Sequence, residues 1–142
     1  RASAYADNAA RLRDDLAALD AEFAEGLADC ARREIVVSHA AFGYLADRYH
    51  LTQVTVAGLS PEDEPTPQRL AEAVSLARQH GATTIFFETL ASDRVAQVIA
   101  EATGATTAVL DPIEGLAPGS TEDYGSLMRA NLAALRAALD CR

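Results

Sequence analysis

With 142 residues, 49% of them hydrophobic, the chain is large and apolar enough to bury one core and far from the composition of disordered segments. Its net charge is −9, all twelve of its cations are arginine, and no basic cluster is visible, which argues against nucleic acid as a partner. No apolar run approaches the roughly 18–20 residues of a membrane span, and no basic stretch followed by an apolar one opens at Arg1 as a signal peptide would.

Residues 1–29 read as one long helix. Leu12, Leu16, Leu19, Phe23 and Leu27 recur at spacings of 4, 3, 4 and 4, a single helical stripe, and Gly26 weakens the last turn. After Cys30 short apolar runs alternate with helical stretches. Residues 35–38 form a first strand, 41–49 a helix, and 52–57 a second strand. Pro67 after Thr66 starts a helix that runs to His80, where Gly81 stops it. Residues 83–87 form a third strand. Ser92 caps a helix that ends at Gly104. Residues 106–110 form a fourth strand. A loop over 111–120 leads to a last helix, capped by Ser120 or Thr121, that runs to about Leu139.

Short, continuously apolar strands separated by helices predict an α/β fold: a doubly wound, parallel, four-stranded sheet flanked by helices, with right-handed crossovers. A single lobe of this kind does not need so long a helix ahead of its first strand. The helix reads as a spine joining the lobe to another domain, so the expected units are 1–29 and 30–142.

Ligands of open α/β sheets sit beyond the carboxyl ends of the strands. There the sequence places Ser38-His39, Gly58-Leu59-Ser60-Pro61-Glu62, Glu88 and Asp111-Pro112. His39 with Asp111 or Glu88 is the donor chemistry of a zinc or other divalent-metal site. Each also has an ordinary reading: His39 as a satisfied polar residue, Asp111 as a turn residue before proline, Glu88 as an acceptor for loop amides. His50 and His80, near helix ends, read as surface residues, and the acid-rich segment 60–65 as a solvated loop. No GxGxxG or P-loop pattern follows a strand. Ser38, His39 and Asp111 supply the residue types of a hydrolase triad. Neighbouring side chains on a strand end point apart, however, and GxSxG is absent. Cys30 and Cys141 form no CxxC motif. They are either two separate buried thiols or a disulfide that closes a very long loop.

Taken in order, several stretches resemble the second lobe of the zinc receptors that feed ABC importers. They are Ser38-His39-Ala40-Ala41-Phe42-Gly43-Tyr44-Leu45; Gly58-Leu59-Ser60-Pro61 with Glu64-Pro65; Phe86-Phe87-Glu88; Val109-Leu110-Asp111-Pro112; and Asp123-Tyr124 with Leu127-Met128 and Asn131-Leu132. The resemblance covers nearly the whole chain. It implies two α/β lobes joined by one rigid helix, here residues 1–29, with the metal in the cleft between them. An N-terminal lobe with two histidine ligands and often a His-rich loop belongs to that pattern and is not in this sequence. His39 is then the third ligand and Asp111 the fourth or its near neighbour, while Glu88 matches an acid that supports a ligand from behind. Manganese carriers of this kind tend to have Glu where His39 stands, and imidazole favours zinc. The implied role is binding without catalysis: capture of Zn²⁺ outside the cytoplasmic membrane, in the periplasm or on a lipid anchor, and delivery to a membrane permease. Export in turn implies a Cys30–Cys141 disulfide. The alternatives are a manganese or iron receptor or an adhesin of the same fold, and more remotely a small α/β hydrolase or a ligand-free interaction domain.

Overall fold

The computed structural model describes residues 1–56, 66–89, 93–116 and 118–142. The stretch 58–62, the Glu64-Pro65 pair and the Ser92 cap therefore lie outside the described residues. Helix α1 spans Ala2–Gly26. It ends three residues short of the expected 29 because Arg33 closes it: the guanidinium donates to the carbonyls of Leu27 and Ala28 at 2.7 and 2.8 Å. A cation on the last free carbonyls also suits the negative end of the helix dipole. Gly26 has a packing reason. A Cβ there would meet the Leu132 and Arg136 side chains at 3.2 and 3.3 Å, so glycine permits the close approach of the final helix.

The four strands are β1 Glu34–Val37, β2 Thr52–Thr55, β3 Thr84–Phe87 and β4 Thr106–Val109. All run parallel in the order β2-β1-β3-β4. The helices between and after them are α2 Gly43–Arg48, α3 Pro67–Gln79, α4 Arg94–Thr103 and α5 Tyr124–Leu139. Alternate strand residues face opposite layers. Ile35, Val37 and Phe86 pack with Leu19 and Phe23 of α1, Ala46 of α2, and Leu135 and Leu139 of α5. Val36, Val54 and Ile85 pack with Ala73 and Ala77 of α3 and with Ala96 and Ile99 of α4. The sheet is doubly wound as expected, and β1 and β3 are neighbours whose outgoing connections lead in opposite directions.

The lobe covers the apolar stripe of α1 unevenly: Leu19 and Phe23 are buried, whereas Leu12 and Leu16, beside the start of α5, remain 58% and 42% exposed. Two expectations change. Strand β4 is an edge strand with Val109 41% exposed, so continuous apolar sequence overstated its cover. The last helix begins at Tyr124, not after Ser120 or Thr121. Asp123 accepts the Ser126 amide at 2.8 Å while Ser126 Oγ accepts the Asp123 amide at 2.9 Å, a capping box that outcompetes the earlier hydroxyls.

The root of α1 is tied to the lobe at several points. Arg48 donates to both oxygens of Asp20 at 3.0 and 2.6 Å, Tyr49 Oη donates to Asp20 at 2.9 Å, and the Tyr49 ring stacks on Phe23 at 5.1 Å. Arg129 of α5 grips Glu22 at 2.8 and 2.9 Å. Cys30 and Cys141 form a disulfide, with the Arg142 and Ala31 amides bonded across it to the carbonyls of Asp29 and Asp140. That pattern makes them a non-hydrogen-bonded antiparallel pair, the kind with the closest backbones. Their Cα atoms lie 3.8 Å apart, closer than the about 4.4–6.8 Å usual for a bridge.

Candidate metal site

Crevices for ligands open where neighbouring strands of a doubly wound sheet send their connections apart. Here that point lies between β1 and β3, and His39 and Glu88 straddle it. Val37 and Phe86 are in register, and Ser38 Oγ donates to the Phe86 carbonyl at 3.1 Å, which locks the two strand ends side by side. His39 and Glu88 are both buried, at 4% and 6% exposure, and His39 Nδ1 is bonded to Glu88 Oε1. With Nδ1–H donating to the carboxylate, the lone pair resides on Nε2, and no described residue bonds to that atom. An imidazole presented this way, its far N–H held by a carboxylate, is the usual form of a metal-ligating histidine.

Burial raises the Glu88 pKa above the ordinary carboxylate range. The His39 charge and hydrogen bond oppose the rise, and the negative charges of Glu114 and Asp111 add to it. Two carboxylates and one imidazole thus follow strands at one rim, with the charge of Glu114 felt at Glu88.

Asp111 follows β4, on the other side of β3 from His39. Thr89, the residue after Glu88, donates its hydroxyl to Asp111 Oδ2 at 2.8 Å, and Oδ1 accepts the Ile113 amide at 2.8 Å. The Glu88-Thr89 pair at the end of β3 therefore supports His39 with one side chain and Asp111 with the next. Ile113 sits at φ 61°, a left-handed conformation that a β-branched residue avoids, so its bond to Asp111 helps hold a strained turn. Asn131 of α5, buried at 3% exposure, completes the set. Its Oδ1 accepts the Asp111 amide at 2.8 Å and its Nδ2 donates to the Asp111 carbonyl at 2.7 Å.

Among the described residues no three His, Cys, Asp or Glu side chains close a metal site by themselves. The structure brings His39, Glu88 and Asp111 to one rim, whereas His50 and His80 lie away from it; His80 Nδ1 approaches Glu34 at 3.9 Å at the opposite end of the sheet. Thr89, Glu114 and Asn131 were missed by reading the residue after each strand. Glu114 is three positions beyond Asp111 in a loop, and Asn131 reaches the rim only through the fold of α5. Beside Asp111, an open cavity of about 390 Å³ is lined by Phe42, Tyr44, Tyr49, Ile113 and Met128, among others.

A parallel, doubly wound lobe with an imidazole and carboxylates following its strands, led into by a long helix, is the class of protein the fold defines. The chain belongs to the family described as zinc-uptake complex component A, periplasmic, whose model matches residues 1–138. The zinc-binding lipoprotein AdcA of Streptococcus pneumoniae is 40% identical over 139 residues, covering 96% of this chain but 28% of that protein. The crystal structure of the laminin-binding protein Lbp of Streptococcus pyogenes matches with a TM-score of 0.87 at 34% identity, over 95% of this chain and 53% of that one. The Zn(II)-bound ZnuA-like domain of S. pneumoniae AdcA matches with a TM-score of 0.79 at 39% identity, over 96% of this chain and 52% of that one. The chain thus spans about half the length of these solved relatives and less than a third of the curated one.

Proposed function

We propose that this chain is the C-terminal lobe of an extracytoplasmic zinc receptor, with His39 and Asp111 as its share of the metal ligands. Helix α1 then connects to an N-terminal lobe that supplies the remaining donors, and the closed receptor hands Zn²⁺ to the permease of an ABC importer. The work is binding, not catalysis. The observation that carries this reading is the buried His39 with Nδ1 held by Glu88. A carboxylate bonded to one ring nitrogen fixes the tautomer and makes the other a better donor. Imidazole suits zinc better than manganese, which prefers oxygen donors. Metal binding uses the neutral imidazole and ionised carboxylates.

A titration with zinc chloride followed through the His39 ring signals in NMR tests the reading, with manganese as competitor. The chain is expected to bind zinc weakly, because a structural zinc site needs four donors held in place. Measured by calorimetry, which does not depend on the His39 signal, His39→Ala should abolish zinc binding, and Asp111→Ala should weaken it. Both Asp111 oxygens already accept protein hydrogen bonds, so Glu114→Ala belongs in the same series. A response lost with Glu114→Ala and kept with Asp111→Ala would move the ligand role along the turn. Tight zinc binding by the monomeric chain would show that no second lobe is needed.

A further inference from the structure

Asn131 stands out among the buried polar groups because it does nothing for its own helix. Asparagine is a mediocre helix former, and burying a carboxamide costs stability unless its donor and acceptor are both used. Here both are spent on one residue, accepting from the Asp111 amide at 2.8 Å and donating to the Asp111 carbonyl at 2.7 Å. No other uncharged side chain of that length offers a donor and an acceptor in one rigid plane; aspartate keeps only the acceptor. The residue it grips starts the turn that carries Asp111, the left-handed Ile113 and Glu114. Two positions earlier on α5, Arg129 is bonded to Glu22 of α1. The turn is therefore fixed to the α1–α5 pair and not only to the edge strand β4, which pairs on one side alone.

We propose that Asn131 is a positioning residue for zinc binding, holding the turn 111–114 by its backbone so that the turn's carboxylates face His39. The proposal rests on the metal-site reading above. Asn131 itself touches no metal. Its grip sets where the carboxylates lie relative to His39, a distance that a bound ion tolerates poorly. A bare edge-strand loop would place them over a range of positions.

The test uses the whole chain, zinc chloride as the probe and the His39 ring signals as the readout. Asn131→Ala removes both bonds. Asn131→Asp keeps an acceptor for the Asp111 amide and loses the donor, with little change in volume. Loss of a supporting hydrogen bond of this kind typically weakens metal affinity about 10–100-fold, and both variants should fall in that range while retaining the native circular dichroism spectrum. Leu135→Val, one turn further along α5, buried in the core and apolar, should leave affinity unchanged. In a background carrying Asp111→Ala and Glu114→Ala together, Asn131→Ala should cause no further loss, because residues that act through one another are not additive. Wild-type affinity in both Asn131 variants overturns the proposal. So does an equal loss in Leu135→Val, or an undiminished Asn131→Ala effect in the background lacking both carboxylates. If that background itself binds zinc like the wild type, the metal reading of the turn fails first and the proposal falls with it.

Discussion

Reduction of the Cys30–Cys141 bridge should lower the melting temperature substantially while leaving the fold intact. The bridge spans 111 residues of sequence. In the chain-entropy description a loop of that length confers about 4.8 kcal/mol at 25 °C by restricting the unfolded chain, and native bridges in practice contribute about 2–5 kcal/mol. Unfolding entropy of about 2.1 cal/mol/K per residue gives about 0.3 kcal/mol/K for 142 residues. A loss of about 3–5 kcal/mol then corresponds to a fall of about 10–17 °C. The native arrangement should survive, because the Arg142–Asp29, Ala31–Asp140 and Arg32–Leu139 backbone bonds and the α1–α5 packing persist without the bridge. Calorimetry with and without a phosphine reductant measures the shift, and a Cys30→Ser/Cys141→Ser variant should match the reduced protein. A shift under about 2 °C would refute the loop-closure reasoning. Two alkylated thiols in unreduced protein purified from an oxidising compartment would refute the bridge itself.

Other expectations follow from single contacts. Phe23→Ala removes a fully buried ring stacked on Tyr49 and should destabilise by about 3–5 kcal/mol in urea unfolding, whereas Tyr5→Ala, at 73% exposure, should change stability by under about 0.5 kcal/mol. Asp123→Ala breaks the capping box of α5 and should cost about 1 kcal/mol in the same assay, with Ser120→Ala near neutral. The Asp20 carboxyl is held below the ordinary aspartate range by its hydrogen bonds to Arg48 and Tyr49. A lowered folded pKa means that this anchor contributes above the unfolded value and is lost as pH falls through the folded one. Carbon-detected NMR titration should show the Asp20 midpoint rising toward the ordinary value in Arg48→Ala; an unmoved midpoint would show that Arg48 is not the cause.

The order and type of the elements were legible because strand and helix periods differ and Gly81 and Gly104 mark helix ends. Boundaries were less so. The close of α1 depends on Arg33, seven residues past Gly26, and the start of α5 depends on competition among Ser120, Thr121 and Asp123 that only local geometry decides. For the candidate site, the topology rule singled out His39, Glu88 and Asp111 because each lies one or two residues beyond the end of a strand. It could not reveal that Thr89 bonds Asp111 or that Asn131 grips it, since those contacts join residues 22 and 20 positions apart. The exposure of Leu12 and Leu16 was equally hidden: a stripe tells which side of a helix is apolar, not how much of it the lobe covers.

The free part of α1 has a mechanical consequence. At about 1.5 Å per residue, the helical residues ahead of Leu12 extend about 15 Å beyond the neighbourhood of α5. A mast of that length magnifies small angles, and a tilt of about 5° at the base moves a point that far along by about 1 Å. Asp20 and Glu22 stand two residues apart, about 200° around the helix axis, and are pulled by Arg48 on α2 and Arg129 on α5. They work as opposed guy ropes. Exposed ion pairs of this sort add little to folding stability, yet by this geometry they set the bearing of the mast. Severing either one should shift that bearing while the melting curve scarcely moves.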